Sequence, residues 1–286
     1  WGDRIFVTSQ IGKGALRPGG HPTLARSDDA PREAPLGAFS PGGHQRVEEV
    51  SFLVEAFHRA DGRRLWSFEI DAEGMLPQVH RKHNLASPSP VTDGELVFAW
   101  FATGQLVALD MDGTPVWQRN LAEDSPFEVS WGHAASPTLF GDSLFLLCDH
   151  GPAAYLLAVD RRIGEDQWRV DRGEGLRSYA TPFVASGPEG NELIVNSSHR
   201  VDAYDPVSGE SLWHFGTDNR FPVPSPSFAD GILYMSRGYR SGPYMAIRLG
   251  GRGDITDSHV LWHVPTGAPY VSSVLLYRGR VYMSNG

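Results

Sequence analysis

The chain has 286 residues, 41% of them hydrophobic and 21% charged, and its 25 basic and 34 acidic side chains give a net charge of −9. Such a composition supports a buried core and disfavours a general nucleic-acid or anionic-membrane role. No apolar run approaches the roughly 18–20 residues that a membrane-spanning helix needs, and the only cysteine, Cys148, excludes an intrachain disulfide.

Trp1-Gly2-Asp3 aligns with Phe140-Gly141-Asp142 further along, so the chain is expected to open at the turn before a strand. Residues 11–50, rich in Gly, Pro, Arg and acidic residues, read as a long inserted loop, and a loop of that length is either functional or mobile. Residues 83–120 then show a four-strand unit. Ala86–Val91 begins the first strand, and Asp93-Gly94 turns the chain, glycine tolerating the positive φ that tight hairpins demand. Leu96–Trp100, Gln105–Leu109 and Pro115–Gln118 are the second, third and fourth strands, dense in Val, Leu, Phe and Trp as suits strands packed on both faces.

The same order returns over Ser136-Pro137 to Trp168, Thr181-Pro182 to Trp213 and Ser225-Pro226 to Trp262, and residues 270–286 supply two further strands. Tryptophans 66, 117, 168, 213 and 262 thus recur every 45 to 51 residues. Each of the first four follows a small-residue, turn and glycine pattern, as in Ala158-Val159-Asp160…Gly164…Trp168 and Ala203-Tyr204-Asp205…Gly209…Trp213; the fifth carries a longer insert. A period of about 40 to 50 residues built from short strands predicts an all-β chain, a β-propeller with one four-stranded antiparallel blade per repeat. The expectation is one propeller domain over residues 1–286, with about five blades, a partial blade at each end, and the 11–50 loop inserted in the first. It is read as a segment of a longer chain whose complete propeller has about 7 or 8 blades.

The Ala-x-Asp-x-x-x-Gly-x-x-x-Trp pattern, with Ser-Pro or Thr-Pro at the first strands, resembles the tryptophan-docking motif of pyrroloquinoline quinone (PQQ) repeat propellers. The resemblance implies that Trp66, Trp117, Trp168, Trp213 and Trp262 lock blades together, and that the chain is periplasmic or extracellular. That family holds both quinone-dependent alcohol and sugar dehydrogenases and cofactor-free members such as a lipoprotein that assists outer-membrane protein assembly. The large alcohol dehydrogenases carry a vicinal cysteine pair over the quinone and a Glu, Asn and Asp set around calcium. Cys148 stands alone between Leu147 and Asp149, and no compact run matches the calcium set. The expectation is therefore a cofactor-free member without a metal or catalytic residues; the alternative is a dehydrogenase using PQQ and Ca²⁺.

Propeller topology sorts the loops onto two faces. One carries short polar turns such as Asp93-Gly94, Asp112-Gly113 and Asp230-Gly231. The other collects the connections before first strands and between second and third strands: His83, Asn84, Trp131, His133, Asp149, His150, Arg177, Tyr179, His199, Arg200, Arg220, Tyr239 and Arg240. Histidine, arginine and aromatic side chains on loops of a rigid scaffold suit recognition. The expected ligand is a protein partner, or a small molecule or carbohydrate, bound at the mouth of a central channel. Arg252-Gly253-Asp254 spells an integrin-type tripeptide, a match short enough to arise by chance.

Overall fold

The computed structural model describes residues 1–12, 50–74, 76, 84–123, 133–150, 153–216, 219–239 and 241–284. His83, Trp131, Arg240 and nearly all of the 11–50 insert lie outside these residues. Chain contacts divide into two compact units, Trp1–His133 and Ala134–Gly286.

The first unit holds two antiparallel sheets. One is ordered β1 (Arg4–Ile11), β2 (Ser51–His58), β3 (Arg64–Asp71) and the other β4 (Val91–Thr92), β5 (Leu96–Trp100), β6 (Gln105–Asp110), β7 (Pro115–Asn120), followed by a 3-10 turn at Leu121–Glu123. The second unit begins with the sheet β8 (Thr138–Phe140), β9 (Ser143–Cys148), β10 (Ala154–Asp160), β11 (Asp166–Gly173). Next come β12 (Phe183–Gly187), β13 (Gly190–Asn196), β14 (Arg200–Tyr204) and β15 (Ser211–Gly216), then β16 (Ser227–Ala229), β17 (Ile232–Ser236), β18 (Tyr244–Arg248) and β20 (Val260–Val264). A final hairpin pairs β21 (Leu275–Tyr277) with β22 (Arg280–Tyr282).

Two details differ from the sequence reading. The first strand of the second repeat is only Val91–Thr92; Ala86–Pro90 runs up to it outside the ladder, because Pro88 and Pro90 have no N–H to donate. The long insert of the fifth repeat contains an extra strand, β19 (Gly253–Asp254), which pairs in parallel with Trp213 and His214 of β15 and makes that sheet five-stranded. Gly253 and Asp254 of the Arg-Gly-Asp tripeptide therefore sit in a ladder. Its Arg252 pairs with Glu189 at 3.0 Å, and its Asp254 caps Thr256, which holds the carboxyl below the usual range.

The register explains the repeated motif. Ala56, Ala108, Ala158, Ala203 and Ala246 stand directly opposite Trp66, Trp117, Trp168, Trp213 and Trp262, and a register shift follows each alanine. All five alanines are fully buried, so the indole is set against the smallest side chain the strand can offer. The central strands of the sheets, such as Val97–Trp100 and Leu144–Cys148, are buried along their length, as packing on both faces requires. The motif aspartates make the turns: the Asp160 carboxylate accepts from Arg162 N at 2.8 Å and that of Asp205 from Val207 N at 2.7 Å.

Candidate functional site

In the second unit, the connections after β9, β13 and β17 and those before β12, β16 and β21 are hydrogen-bonded into one network. His150 and Arg177 form an antiparallel bridge, and Ser178 N donates to Asp149 O at 3.0 Å. Tyr179 N reaches Pro222 O at 2.9 Å and Asn219 N reaches Ser198 O at 2.6 Å. Side chains supply the remaining bonds. Asn196 Nδ2 donates to Pro224 O and Ser236 O at 3.0 and 3.1 Å, Asn219 Nδ2 to Arg237 O at 2.6 Å, and Ser236 Oγ to Pro269 O at 3.1 Å. Irregular backbone is being buried here, and short polar side chains satisfy the carbonyls that a strand ladder would otherwise have taken.

Four rings follow one another across these connections. Tyr179 and Phe221 are 6.5 Å apart between centroids, Phe221 and Tyr239 5.1 Å, and Tyr239 and Tyr270 5.5 Å, the last two pairs edge to face. Tyr270 is 49% exposed, the other three are half-buried, and Arg220 beside them is exposed. The Arg177 guanidinium lies 5.8 Å from the Phe221 ring.

Beneath one side of the network lies a buried ionic cluster. Arg172 Nε donates to Asp149 Oδ1 at 2.9 Å and Nη2 to Oδ2 at 3.2 Å, while Nη1 donates to Asp202 Oδ2 at 3.2 Å and to the Tyr204 hydroxyl. Ser197 Oγ donates to Asp149 Oδ2 at 2.6 Å, and Arg200 pairs with Asp202 Oδ1 at 2.6 Å from a half-exposed position. The side chains of Arg172, Asp149 and Asp202 are almost wholly buried. Burial opposes the Arg172 charge, but Asp149 and Asp202 outweigh it and raise the guanidinium pKa; burial pushes the Tyr204 phenol up to about 12.

The predicted residues divide accordingly. Asp149, His150, Arg177, Tyr179 and Tyr239 join the network or the ring strip, Arg220 is exposed next to Phe221 in the chain, and His199 and Arg200 line a cleft over the ionic cluster. Asn84 and His133 belong to the first unit. Asn84 Oδ1 accepts from Ala86 N at 3.0 Å, and buried His133 packs 4.0 Å from Trp100. Among the five tryptophans, the Trp66 indole donates to Met111 O at 2.8 Å and that of Trp168 to Pro206 O at 3.2 Å, each in a turn of the following sheet. Trp213 is fully buried, Trp117 is half-buried, and Trp262 is 39% exposed.

Sequence reasoning missed Arg172, Ser197, Asp202 and Tyr204 as site residues. Asp202 did carry a signal: a carboxylate between Val201 and Ala203, in a strand apolar on both faces, has to be paired.

The PQQ-repeat family described as "Outer membrane protein assembly factor BamB" matches residues 51–221, more than half of the chain. The chain belongs to this family. BamB from Moraxella catarrhalis is a structural neighbour of this propeller family, with a TM-score of 0.52 and 13% identity over 82% of this chain and 76% of that one. Quinohemoprotein alcohol dehydrogenase ADHIIG from Pseudomonas putida HK5 has the same TM-score with 17% identity, covering 74% of this chain and 39% of that one. At such identities both neighbours carry the fold alone, a β-propeller of four-stranded antiparallel blades. In sequence, the chain is 28% identical over 178 residues to the serine/threonine-protein kinase AfsK of Streptomyces griseus, and the match covers 61% of this chain and 20% of the kinase. The chain thus spans about a fifth of the length of that curated relative.

The alternative expectation of a dehydrogenase using PQQ and Ca²⁺ can be tested on the buried carboxylates, since calcium takes about six to eight oxygen ligands. Asp149 and Asp202 share Arg172, whose guanidinium bonds to both. A divalent cation between them would meet a buried positive charge, so these two carboxylates do not fit a calcium-bound quinone. Among the described residues no three His, Cys, Asp or Glu side chains group as a metal site, and no helix is long and apolar enough to cross a membrane.

Proposed function

We propose that this chain is a non-catalytic, cofactor-free binding module. It holds an extended segment of a protein partner on the strip formed by Tyr179, Phe221, Tyr239 and Tyr270, flanked by Arg177 and Arg220. The observation that carries this reading is the strip itself: four rings in succession, the last two contacts edge to face, set on a hydrogen-bonded loop network, with Tyr270 half-exposed and the Arg177 guanidinium alongside. Rigid aromatic and arginine side chains are the groups that dominate protein-binding surfaces. Arginine favours acidic side chains in the partner, by forked hydrogen bonds to carboxylates.

Two further facts support a module over an enzyme. The buried carboxylates below the network are consumed by Arg172, which leaves them poorly placed as bases or calcium ligands. The match to a fifth of a protein kinase suits a domain that serves a longer chain. The family description suits a periplasmic or outer-membrane-associated setting, which we propose for this protein.

The test is selection of peptides from a displayed library on the purified chain. Acidic peptides with aromatic or aliphatic residues should be enriched, and the triple substitution Arg177→Ala, Arg220→Ala, Tyr270→Ala should abolish that enrichment while the melting temperature holds. Equal enrichment on the triple variant would overturn the proposal. So would dye-linked oxidation of alcohols or sugars once PQQ and Ca²⁺ are added.

A further inference from the structure

A cleft of about 390 Å³ opens over the buried ionic cluster, separate from the aromatic strip. The fourth strand of one sheet, β11, supplies Val170, Asp171 and Arg172 to it, and the next sheet supplies Ser197, His199, Arg200, Asp202 and Tyr204 from β14 and the turn before it. A volume of this size is within the range of small-molecule sites, about 300–1,000 Å³.

Two polar atoms in its floor are incompletely used. The Tyr204 hydroxyl oxygen accepts from Arg172, and among the described residues its own hydrogen has no acceptor, although the residue is only 4% exposed. Asp202 Oδ1 is buried and makes no hydrogen bond among the described residues; Arg200 Nε stands 2.6 Å away as an ion pair without hydrogen-bond geometry. Both side chains bond to the same Arg172 nitrogen, so the unused Tyr204 donor stands next to a carboxylate whose second oxygen is held by the Arg200 ion pair alone. A buried polar group left in this state is costly unless something completes it.

The charges decide what can do so. An anion would meet the carboxylates of Asp149, Asp171 and Asp202, and a cation would meet the buried Arg172 guanidinium. A neutral hydroxyl group meets neither penalty. It is at once a donor and an acceptor, so it can give its hydrogen to Asp202 Oδ1 and accept one from Tyr204. The phenol keeps its proton for this, since burial holds its pKa near 12. Val170 and Leu176 add apolar wall for the C–H face of such a molecule.

We propose that this cleft binds a neutral polyhydroxylated ligand, a monosaccharide or cyclitol, through Tyr204, Asp202 and the Arg200 guanidinium at its mouth. The site is independent of peptide capture on the aromatic strip, so either can fail while the other stands.

Calorimetric titration of the 286-residue chain with glucose, galactose, mannose and myo-inositol, and separately with inorganic phosphate, tests it. At least one of the four neutral probes should saturate, and phosphate should not. Tyr204→Phe keeps the ring and removes the donor, and it should weaken that binding at least tenfold. Because Tyr204 also accepts from Arg172, Arg200→Met is the second variant: it leaves the bonds from Arg172 to Asp149, Asp202 and Tyr204 in place, removes the ion pair to Asp202 Oδ1, is required to show a cooperative melt, and should weaken the same probe. Absence of saturation by all four probes, saturation by phosphate, or unchanged affinity in both variants would overturn the proposal. Loss of affinity in either folded variant supports it.

Discussion

The Trp213 indole donates to Glu192 Oε2 at 2.6 Å, with both side chains buried and strand β14 between their strands. The other oxygen of the same carboxylate accepts from Gly250 N at 2.8 Å. Trp66 and Trp168 instead donate to a backbone carbonyl in a turn of the following sheet. The segment after β18 is the longer insert, and there Glu192 takes the indole and fastens Gly250 of that insert to its own sheet. Glu192→Gln replaces one acceptor with an amide donor that faces either the indole N–H or the Gly250 N–H. The expected loss is about 1–3 kcal/mol, read from chemical denaturation. An unchanged midpoint would show that the carboxylate is not what holds the insert.

Trp168 and Gly209 form a second coupled pair. The ring lies against the glycine so closely that a Cβ at position 209 would stand 2.8 Å from Trp168 Cε3, and the backbone there has φ +74°. Gly209→Ala therefore meets both a left-handed backbone and the indole, whereas Trp168→Ala removes the ring and opens a void worth about 3 kcal/mol or more. The double variant should cost clearly less than the two single losses together, because the steric part of the alanine penalty disappears with the indole. Strict additivity in urea denaturation would mean the two residues do not meet.

The architecture was legible because its signals are local and repeated. Asp-Gly turns, a tryptophan per period and an alanine opposite it each follow from chain geometry that every blade must satisfy, as Ala108 with Trp117 and Ala203 with Trp213 show. The loops that carry Asp149, Arg177, Tyr179 and Tyr239 could be placed by topology, because connections of one type leave a sheet at one end. What joins those residues could not be read in this way. Arg172 meets Asp149 and Asp202 from 23 and 30 positions away, and it sits in an ordinary alternating strand in which a long polar side chain suggests solvent. Tyr270 joins the ring strip only because the connection before β21 folds beside Tyr239. β19 had no sequence signature at all: two residues, Gly253 and Asp254, owe their strand to the edge that β15 leaves open.

The ionic cluster predicts an asymmetry between charge and shape. Arg172→Met leaves the Asp149 and Asp202 carboxylates buried without their cation, and the expected cost is about 3–5 kcal/mol. Arg172→Lys keeps the charge, but a point-like ammonium cannot fork to two carboxylates and the Tyr204 hydroxyl, so only part of that stability should return. The order wild type, lysine, methionine in melting temperature is the expected result. A methionine variant as stable as the wild type would show that the cluster is dispensable for folding.

Tyr204 supplies the pH dependence. Burial is the main cause that lifts its phenol to about 12, against an unfolded value near 10. Between those two values the unfolded chain has lost the proton and the folded chain still holds it, so stability falls as pH rises. The contribution is present in full below pH 10 and is lost as the pH approaches 12. It amounts to on the order of 2–3 kcal/mol for a phenol this buried. Tyr204→Phe has no proton to lose, so its stability should decline less steeply over that window. The gap between wild type and variant should therefore narrow between pH 10 and pH 11.5, measured by urea denaturation at matched ionic strength. A parallel decline in the two proteins would count against the shift, as would a tyrosinate absorbance difference between them centred at pH 10.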